Sequence, residues 1–232
     1  MKWIANLIMS RRANRLFRRI RAHLPSAGLI ADIGSGTGHN AQAIRQQSDL
    51  SVTEFDVVDM HWVGPAPQFI SADGKIPAND AACDGALLSF VLQYPADPLP
   101  ILLEARRITH GPVLVLQSTY AGKLAYRALR LREFFFGRFG FYLARLANLV
   151  SEKECPLVPS HFFNGDALLE LFETAGFEVR LQQSESSLLV KVRRDLFVLN
   201  RVERQEERQS DERGYLCHHS SAKRTAADQT NT

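Results

Sequence analysis

The chain has 232 residues, 45% of them hydrophobic, which is enough for one well-buried core and short for two, so a single domain with extensions is expected. The formal net charge of +3 is mild, and Cys83, Cys155 and Cys217 stand apart without Cys-x-x-Cys spacing or histidine partners, which argues against a zinc site and suits a reducing, cytosolic setting. No apolar run approaches the roughly 20 residues that span a bilayer, and Trp3–Met9 runs into Ser10-Arg11-Arg12 without a small-residue cleavage site, so neither a transmembrane helix nor a secretory signal is expected.

The mild net charge hides an uneven distribution. Residues 1–25 carry Lys2, Arg11, Arg12, Arg15, Arg18, Arg19 and Arg21 with no acid among them, a stretch that favours an anionic surface. From Ala13 to Leu24 the apolar Leu16, Phe17, Ile20 and Leu24 fall on one side at helical spacing with arginines on the other, and Pro25 and Gly28 end the segment. Trp3, Ile4, Leu7 and Ile8 project roughly opposite at about 100° per residue, which predicts two short N-terminal pieces rather than one continuous helix.

Short apolar runs then alternate with helix-like stretches: Leu29–Ile33, a helix over about Asn40–Gln47, Val52–Val58, Gln68–Ser71, Gly85–Val91, a helix over Leu99–Ile108, and Pro112–Gln117. Such alternation predicts an α/β fold, a mostly parallel sheet with helices on both faces. An insertion from Tyr120 to about Ser160 follows, then a helix over Asp166–Ala175 and two closing strands, Glu178–Gln183 and Ser187–Leu199, read as an edge hairpin. The organisation expected is a basic helical extension over 1–25, a main α/β domain over 26–200 with a helical lid at about 120–160, and a polar, disordered tail over 201–232.

The strongest local signal is Leu29-Ile-Ala-Asp32-Ile-Gly34-Ser35-Gly36-Thr-Gly38, a strand, a glycine turn and a helix start in sequence, which lets backbone approach a ligand at the carboxyl edge of the sheet. A dinucleotide fingerprint needs glycine at position 39, where His39 stands. Asp32, two residues before the first glycine, would repel a pyrophosphate but can hold the ammonium of a bound amino acid. Asp56, at the end of the next strand, can accept hydrogen bonds from both hydroxyls of a ribose, and Asp59 is a weaker candidate for that duty.

These pieces together resemble the class I S-adenosylmethionine-dependent methyltransferases, in particular the small-molecule group often called type 11. Asp32-Ile-Gly34-Ser35-Gly36-Thr-Gly38 resembles that family's first motif, and Asp56 its ribose-binding acid; Ser71-Ala-Asp73 resembles the segment that contacts the adenine amino group. Cys83-Asp84-Gly-Ala-Leu-Leu-Ser89 resembles the fourth strand. The resemblance implies a Rossmann-like, seven-stranded sheet with an antiparallel last strand, S-adenosylmethionine as cofactor, and cofactor contacts from Asp32, Gly34, Ser35, Gly36, Gly38, Asp56, Asp73 and Ser89; no metal is implied. Two departures stand out: Leu92-Gln93-Tyr94 where many relatives read Leu-x-His-His, and His110-Gly111-Pro112 in place of Pro-Gly-Gly.

Methyl transfer from a sulfonium is an in-line displacement, so the protein supplies alignment, water exclusion and, where needed, a base. Candidate bases are His161, Tyr94 and Tyr120. Ser89-Phe90-Val91 lacks the Asn/Asp-Pro-Pro-aromatic pattern that positions an exocyclic base amine, which argues against adenine methylation. Arginines and aromatics interleave over Tyr120–Val150, as suits a lid over a small, apolar or lipid-like acceptor, and with the basic N-terminal helix they suit peripheral contact with an anionic membrane. No RNA-binding module accompanies the domain, so nucleic acid is not the expected partner. The expected reading is a cytoplasmic enzyme, peripheral at the membrane if that contact forms; the alternative is a non-catalytic cofactor-binding partner or regulator with the same fold. Neither the methylated atom (oxygen, carbon or nitrogen) nor the oligomeric state is legible.

Overall fold

The alternating apolar stretches form one sheet in the computed structural model, which describes residues 2–135, 159–187 and 190–202. The strands are β1 (Gly28–Ile33), β2 (Leu50–Asp56), β3 (Gln68–Phe69), β4 (Gly85–Ser89), β5 (Val113–Tyr120), β6 (Phe177–Ser187) and β7 (Val190–Arg201). Their order is β3-β2-β1-β4-β5-β7-β6. Pairing is parallel from β3 through β5, while β7 runs antiparallel to both β5 and β6, so the last strand alone is reversed, as expected. The helices are α1 (Lys2–Ile20), α2 (His39–Gln47), α3 (Leu99–Ile108), α4 (Gly122–Glu133) and α5 (Gly165–Thr174).

The inner strands read as near-continuous apolar runs because both faces are covered. Alternation sends Ala31, Ile33, Ala86, Leu88, Val113, Val115, Phe197 and Leu199 to one face, against Leu102 and Ile108 of α3 and Leu168 and Phe172 of α5. Ile30, Leu87, Leu114, Leu116, Leu196 and Val198 go to the other, against Leu16, Phe17 and Ile20 of α1 and Ala41 and Ile44 of α2. Full burial stabilises each such large aliphatic or aromatic side chain by about 1.5–3 kcal/mol.

The N-terminus departs from expectation: Lys2–Ile20 is one continuous helix. No glycine or proline interrupts it, so the backbone ladder persists although its two halves present different apolar faces. The C-terminal half buries Ala13, Leu16, Phe17 and Ile20, whereas Trp3 (70% exposed), Ile4, Leu7 and Ile8 (57% exposed) face outward. The helix gives way to a single tight turn, Arg21–His23, and then to extended Leu24, whose backbone is forced out of the helical region by Pro25. The helical extension expected over 1–25 thus packs its C-terminal half into the core. Of the expected lid, 136–158 lies outside the described residues, as does the tail over 203–232.

At the carboxyl ends of β1 and β4 the chain leaves in opposite directions, since β1 pairs β2 on one side and β4 on the other. That divergence opens a crevice.

Candidate active site

The crevice is built on the glycine turn after β1. Gly34, Gly36 and Gly38 have φ of 72°, 57° and 80°, the left-handed region that side chains disfavour. A Cβ on Gly34 would stand 2.5 Å from Val91 Cγ2, and one on Gly38 would stand 2.2 Å from the Val63 carbonyl oxygen. One on Gly36 would meet nothing within 4 Å. Gly34 and Gly38 therefore let the turn pack tightly, and Gly36 presents bare backbone to open space.

Asp56, at the end of β2, organises this turn. Its Oδ2 accepts the Gly36 N–H at 2.8 Å and its Oδ1 the Val57 N–H at 2.7 Å. Each oxygen keeps acceptor capacity for a further donor.

Beneath the turn lies a group of buried acids. Asp32 of β1 sits in register with Glu54 of β2, and both are buried. Arg45 meets Glu54 at 2.7 Å, and His61 Nε2 lies 3.1 Å from Glu54 and 2.9 Å from Ser35 Oγ. The Asp32 carboxyl has no partner of good hydrogen-bond geometry. Burial first, then the charges of Glu54 and Asp56, push its pKa up to about 8, against minor relief from Arg45 and the Ala41 amide.

A cavity of about 700 Å³ opens above the turn. Gly34, Ser35, Gly36, Asp56, Asp73 and Ser89 all line it, brought together from the ends of β1, β2 and β4 and the loop after β3. Asp32 lies below the turn rather than on the wall, Gly38 serves as the left-handed N-cap of α2, and Asp59 is not on the wall. Asp73 is exposed at the rim, its pKa held below the usual carboxylate range by the Ser71 hydroxyl and then the Lys75 backbone.

The three candidate bases separate in space. Tyr94 lines the cavity. Tyr120 belongs to a second cavity, of about 560 Å³, together with Tyr126, whose ring is 5.1 Å away. His161 donates from Nε2 to the Ala96 carbonyl at 2.8 Å and does not reach the main cavity.

Sequence reasoning missed the role of α1, which contributes Met9, Arg12, Ala13, Arg15, Leu16 and Arg19 to the cavity. His39 fastens it there: Nε2 lies 2.5 Å from Asn6 Oδ1 and Nδ1 2.9 Å from Thr37 Oγ1. Burial lowers the His39 pKa, opposed by a hydrogen bond to the Thr37 backbone. The available signal was His39 itself, standing where a dinucleotide turn has glycine. Among the described residues, no group of three or more His, Cys, Asp or Glu is arranged to hold a metal ion.

A Rossmann-like sheet of this order, with a glycine cradle and an acid at the end of β2, defines a class I S-adenosylmethionine-dependent methyltransferase. Residues 6–182 match a family model described as a methyltransferase domain, and the chain belongs to that family. No curated protein matches it in sequence. Solved structures are similar in fold. A chain in the complex of the Haloferax volcanii Trm112 methyltransferase activator with its methyltransferase superposes with a TM-score of 0.58 at 15% identity, covering 86% of this chain and 96% of that one. Geranyl diphosphate methyltransferase in complex with S-adenosylmethionine gives 0.56 at 12% identity, covering 83% and 85%. Burkholderia thailandensis 1,6-didemethyltoxoflavin-N1-methyltransferase gives 0.53 at 15% identity, covering 84% and 79%.

The residues present fit S-adenosylmethionine. Open space at Gly36 admits the cofactor against bare backbone, Asp56 retains acceptor capacity for ribose hydroxyls, and Asp73 waits at the rim.

Proposed function

We propose that the enzyme methylates a small acceptor with an apolar body, bound between α1 and the carboxyl ends of β4 and β5. The observation that carries this reading is the continuity of the cavity, which runs from the Gly34–Asp56 cradle to a wall of Met9, Leu16, Phe90 and Leu116. When bound, the cofactor supplies a sulfonium whose methyl group is already activated, so alignment and dehydration are the tasks left to the protein. Apolar walls and α1 above them exclude water from the reacting atoms. Tyr94 takes the role of proton acceptor or orienting donor toward the acceptor's nucleophilic atom. Two fold neighbours named for small acceptors, geranyl diphosphate and 1,6-didemethyltoxoflavin, are in keeping with this size class.

The test is methyl transfer from radiolabelled S-adenosylmethionine to a panel of apolar alcohols, amines and activated carbon acids. Turnover is expected on at least one member, and Tyr94→Phe is expected to lower kcat on it about 10- to 100-fold with S-adenosylhomocysteine affinity unchanged. No turnover across the panel by a protein that binds the cofactor would count against the acceptor class, and unchanged kcat in Tyr94→Phe would remove the tyrosine.

The outer face of α1 supports a peripheral contact with anionic bilayers. Trp3, Ile4, Leu7 and Ile8 are exposed there, and Arg11 and Arg18 continue the same side. Among the described residues no helix is long and apolar enough to cross a membrane, so the contact would be a surface one. In sedimentation with phosphatidylglycerol vesicles, the intact chain is expected to pellet, and the quadruple serine variant of Trp3, Ile4, Leu7 and Ile8 to pellet at least about fivefold less. Equal, negligible pelleting of both removes the contact.

A further inference from the structure

Beside apolar Met9, Leu16, Phe90 and Leu116, the cavity wall carries four arginines, Arg12, Arg15, Arg19 and Arg194, against one acid on that side, Glu185, which lies across from Arg194. Arg12 and Arg15 come from α1 and Arg194 from β7, residues far apart in sequence that line one cavity. Arg194 is in register with Ser118 of β5, on the face that α1 covers.

Arginines in such a place are usually consumed by carboxylates, and Arg19 shows the pattern: it lies 3.6 Å from Glu185 and donates to the carbonyls of Gln183 and Arg194 at 2.6 and 3.0 Å. It ties α1 to the β6–β7 pair. Arg12, Arg15 and Arg194 differ, since among the described residues no carboxylate lies within ion-pairing distance of any of them. Of the other acids on the cavity wall, Asp97 caps the Leu99 N–H, Asp56 holds the glycine turn and Asp73 is bonded to Ser71.

Arg12 is aimed as well as unpaired by acids. Its guanidinium stands 5.2 Å over the Phe90 ring. Phe90 follows β4 with φ of 61°, unusual for a bulky residue, and is held there by its N–H donating to the Leu116 carbonyl at 2.7 Å. Strained conformers of this kind are retained where a ligand site needs them. Desolvation, then the like charges of Arg194 and Arg132, lowers the Arg12 pKa, so an anion arriving here would relieve a repulsion already present.

We infer that the acceptor is amphiphilic, with its apolar body in the cavity and an anionic head, a carboxylate or a phosphate, held by Arg12 and Arg194. The planar guanidinium matches both heads through paired N–H donors, which ammonium groups cannot do. This rests on the reading of that side of the cavity as the acceptor site.

The test is calorimetric titration of the S-adenosylhomocysteine-saturated protein with three probes of equal chain length: octyl phosphate, octanoate and octanol. The two anions are expected to bind at least about tenfold more tightly than octanol, with the margin shrinking between 50 and 500 mM salt. In Arg12→Gln/Arg194→Gln the margin is expected to fall to about threefold or less with S-adenosylhomocysteine affinity unchanged, and Arg12→Lys serves the same comparison should the double variant not fold. Arg11→Gln/Arg18→Gln, which alters arginines away from the cavity, is expected to keep the wild-type margin. Whichever anion binds more tightly names the head group. Equal binding of all three probes to the wild type, or an undiminished margin in the folded Arg12 variants, overturns the anionic subsite alone. Failure of every probe to bind the saturated protein overturns the acceptor-site reading and the subsite with it.

Discussion

Replacing Asp56 with alanine is expected to weaken S-adenosylhomocysteine binding about 100-fold or more. Two effects add. The carboxylate accepts the Gly36 N–H at 2.8 Å and the Val57 N–H at 2.7 Å, so its loss frees the turn that presents Gly36 to the cavity. By its resemblance to the family's ribose-binding acid it would also accept from the cofactor's ribose hydroxyls, and a hydrogen bond to a charged group is worth about 1.5–3 kcal/mol. Two such bonds alone correspond to the stated loss.

Asp56→Asn separates the effects. An amide keeps one acceptor oxygen but turns a donor toward an N–H that needs an acceptor, so binding is expected to fall between wild type and alanine. Folding stability is expected to drop by about 1–3 kcal/mol in the alanine variant, from the Gly36 N–H left without its partner. Isothermal titration with urea denaturation alongside reads both. A folded Asp56→Ala that binds S-adenosylhomocysteine within about threefold of wild type would show that the cradle holds something else.

The parts of this site that sequence made legible are those where a local pattern and a local structure coincide. The glycine turn, Asp56 and the strand that delivers it lie within one strand–helix–strand unit, and backbone sterics at Gly34 and Gly38 dictate residue type directly. The mostly parallel sheet followed from alternation, and its seven strands with a reversed last one from the family resemblance. Long-range placement was not legible. The arginines of α1 read as a solvated or bilayer-facing edge, yet Arg12, Arg15 and Arg19 line the cavity, because the sheet, through Leu114, Leu116, Leu196 and Val198, decides which side of the helix is buried. Helical periodicity states that two faces exist, not what each one meets. The same limit split α1 in two: opposite apolar faces look like a break when only one core is assumed. Tyr94, Tyr120 and His161 were equivalent as sequence; packing puts one at the cavity and the others elsewhere.

Asp32 sets the second large expectation, a pH dependence of stability that a single isosteric change abolishes. Its carboxyl is fully buried and titrates at about 8 in the folded protein, against roughly 3.9 in an unfolded chain. The folded state therefore holds one more proton than the unfolded state between those values. With the folded pKa raised, this contribution is fully present below pH 4 and is lost as pH rises to about 8, at up to about 1.4 kcal/mol per pH unit. Asp32→Asn stays neutral throughout. Relative to wild type, its stability is expected to improve by about 3 kcal/mol between pH 6 and pH 9 in urea denaturation, and parallel pH curves for the two proteins would refute the buried proton.

The same proton couples to the cofactor. Were S-adenosylmethionine held at the glycine turn, its ammonium and sulfonium would bring positive charge toward Asp32, which would favour the ionised carboxylate. Binding below pH 8 is then expected to release a proton and to tighten as pH rises from 6 to 8. Titrations in buffers of different ionisation enthalpy read the release as a buffer-dependent heat, which Asp32→Asn should lack. A buffer-independent heat in the wild type would mean that Asp32 keeps its proton in the complex and serves the turn as a neutral buried group, leaving the ammonium to be met from the cavity wall.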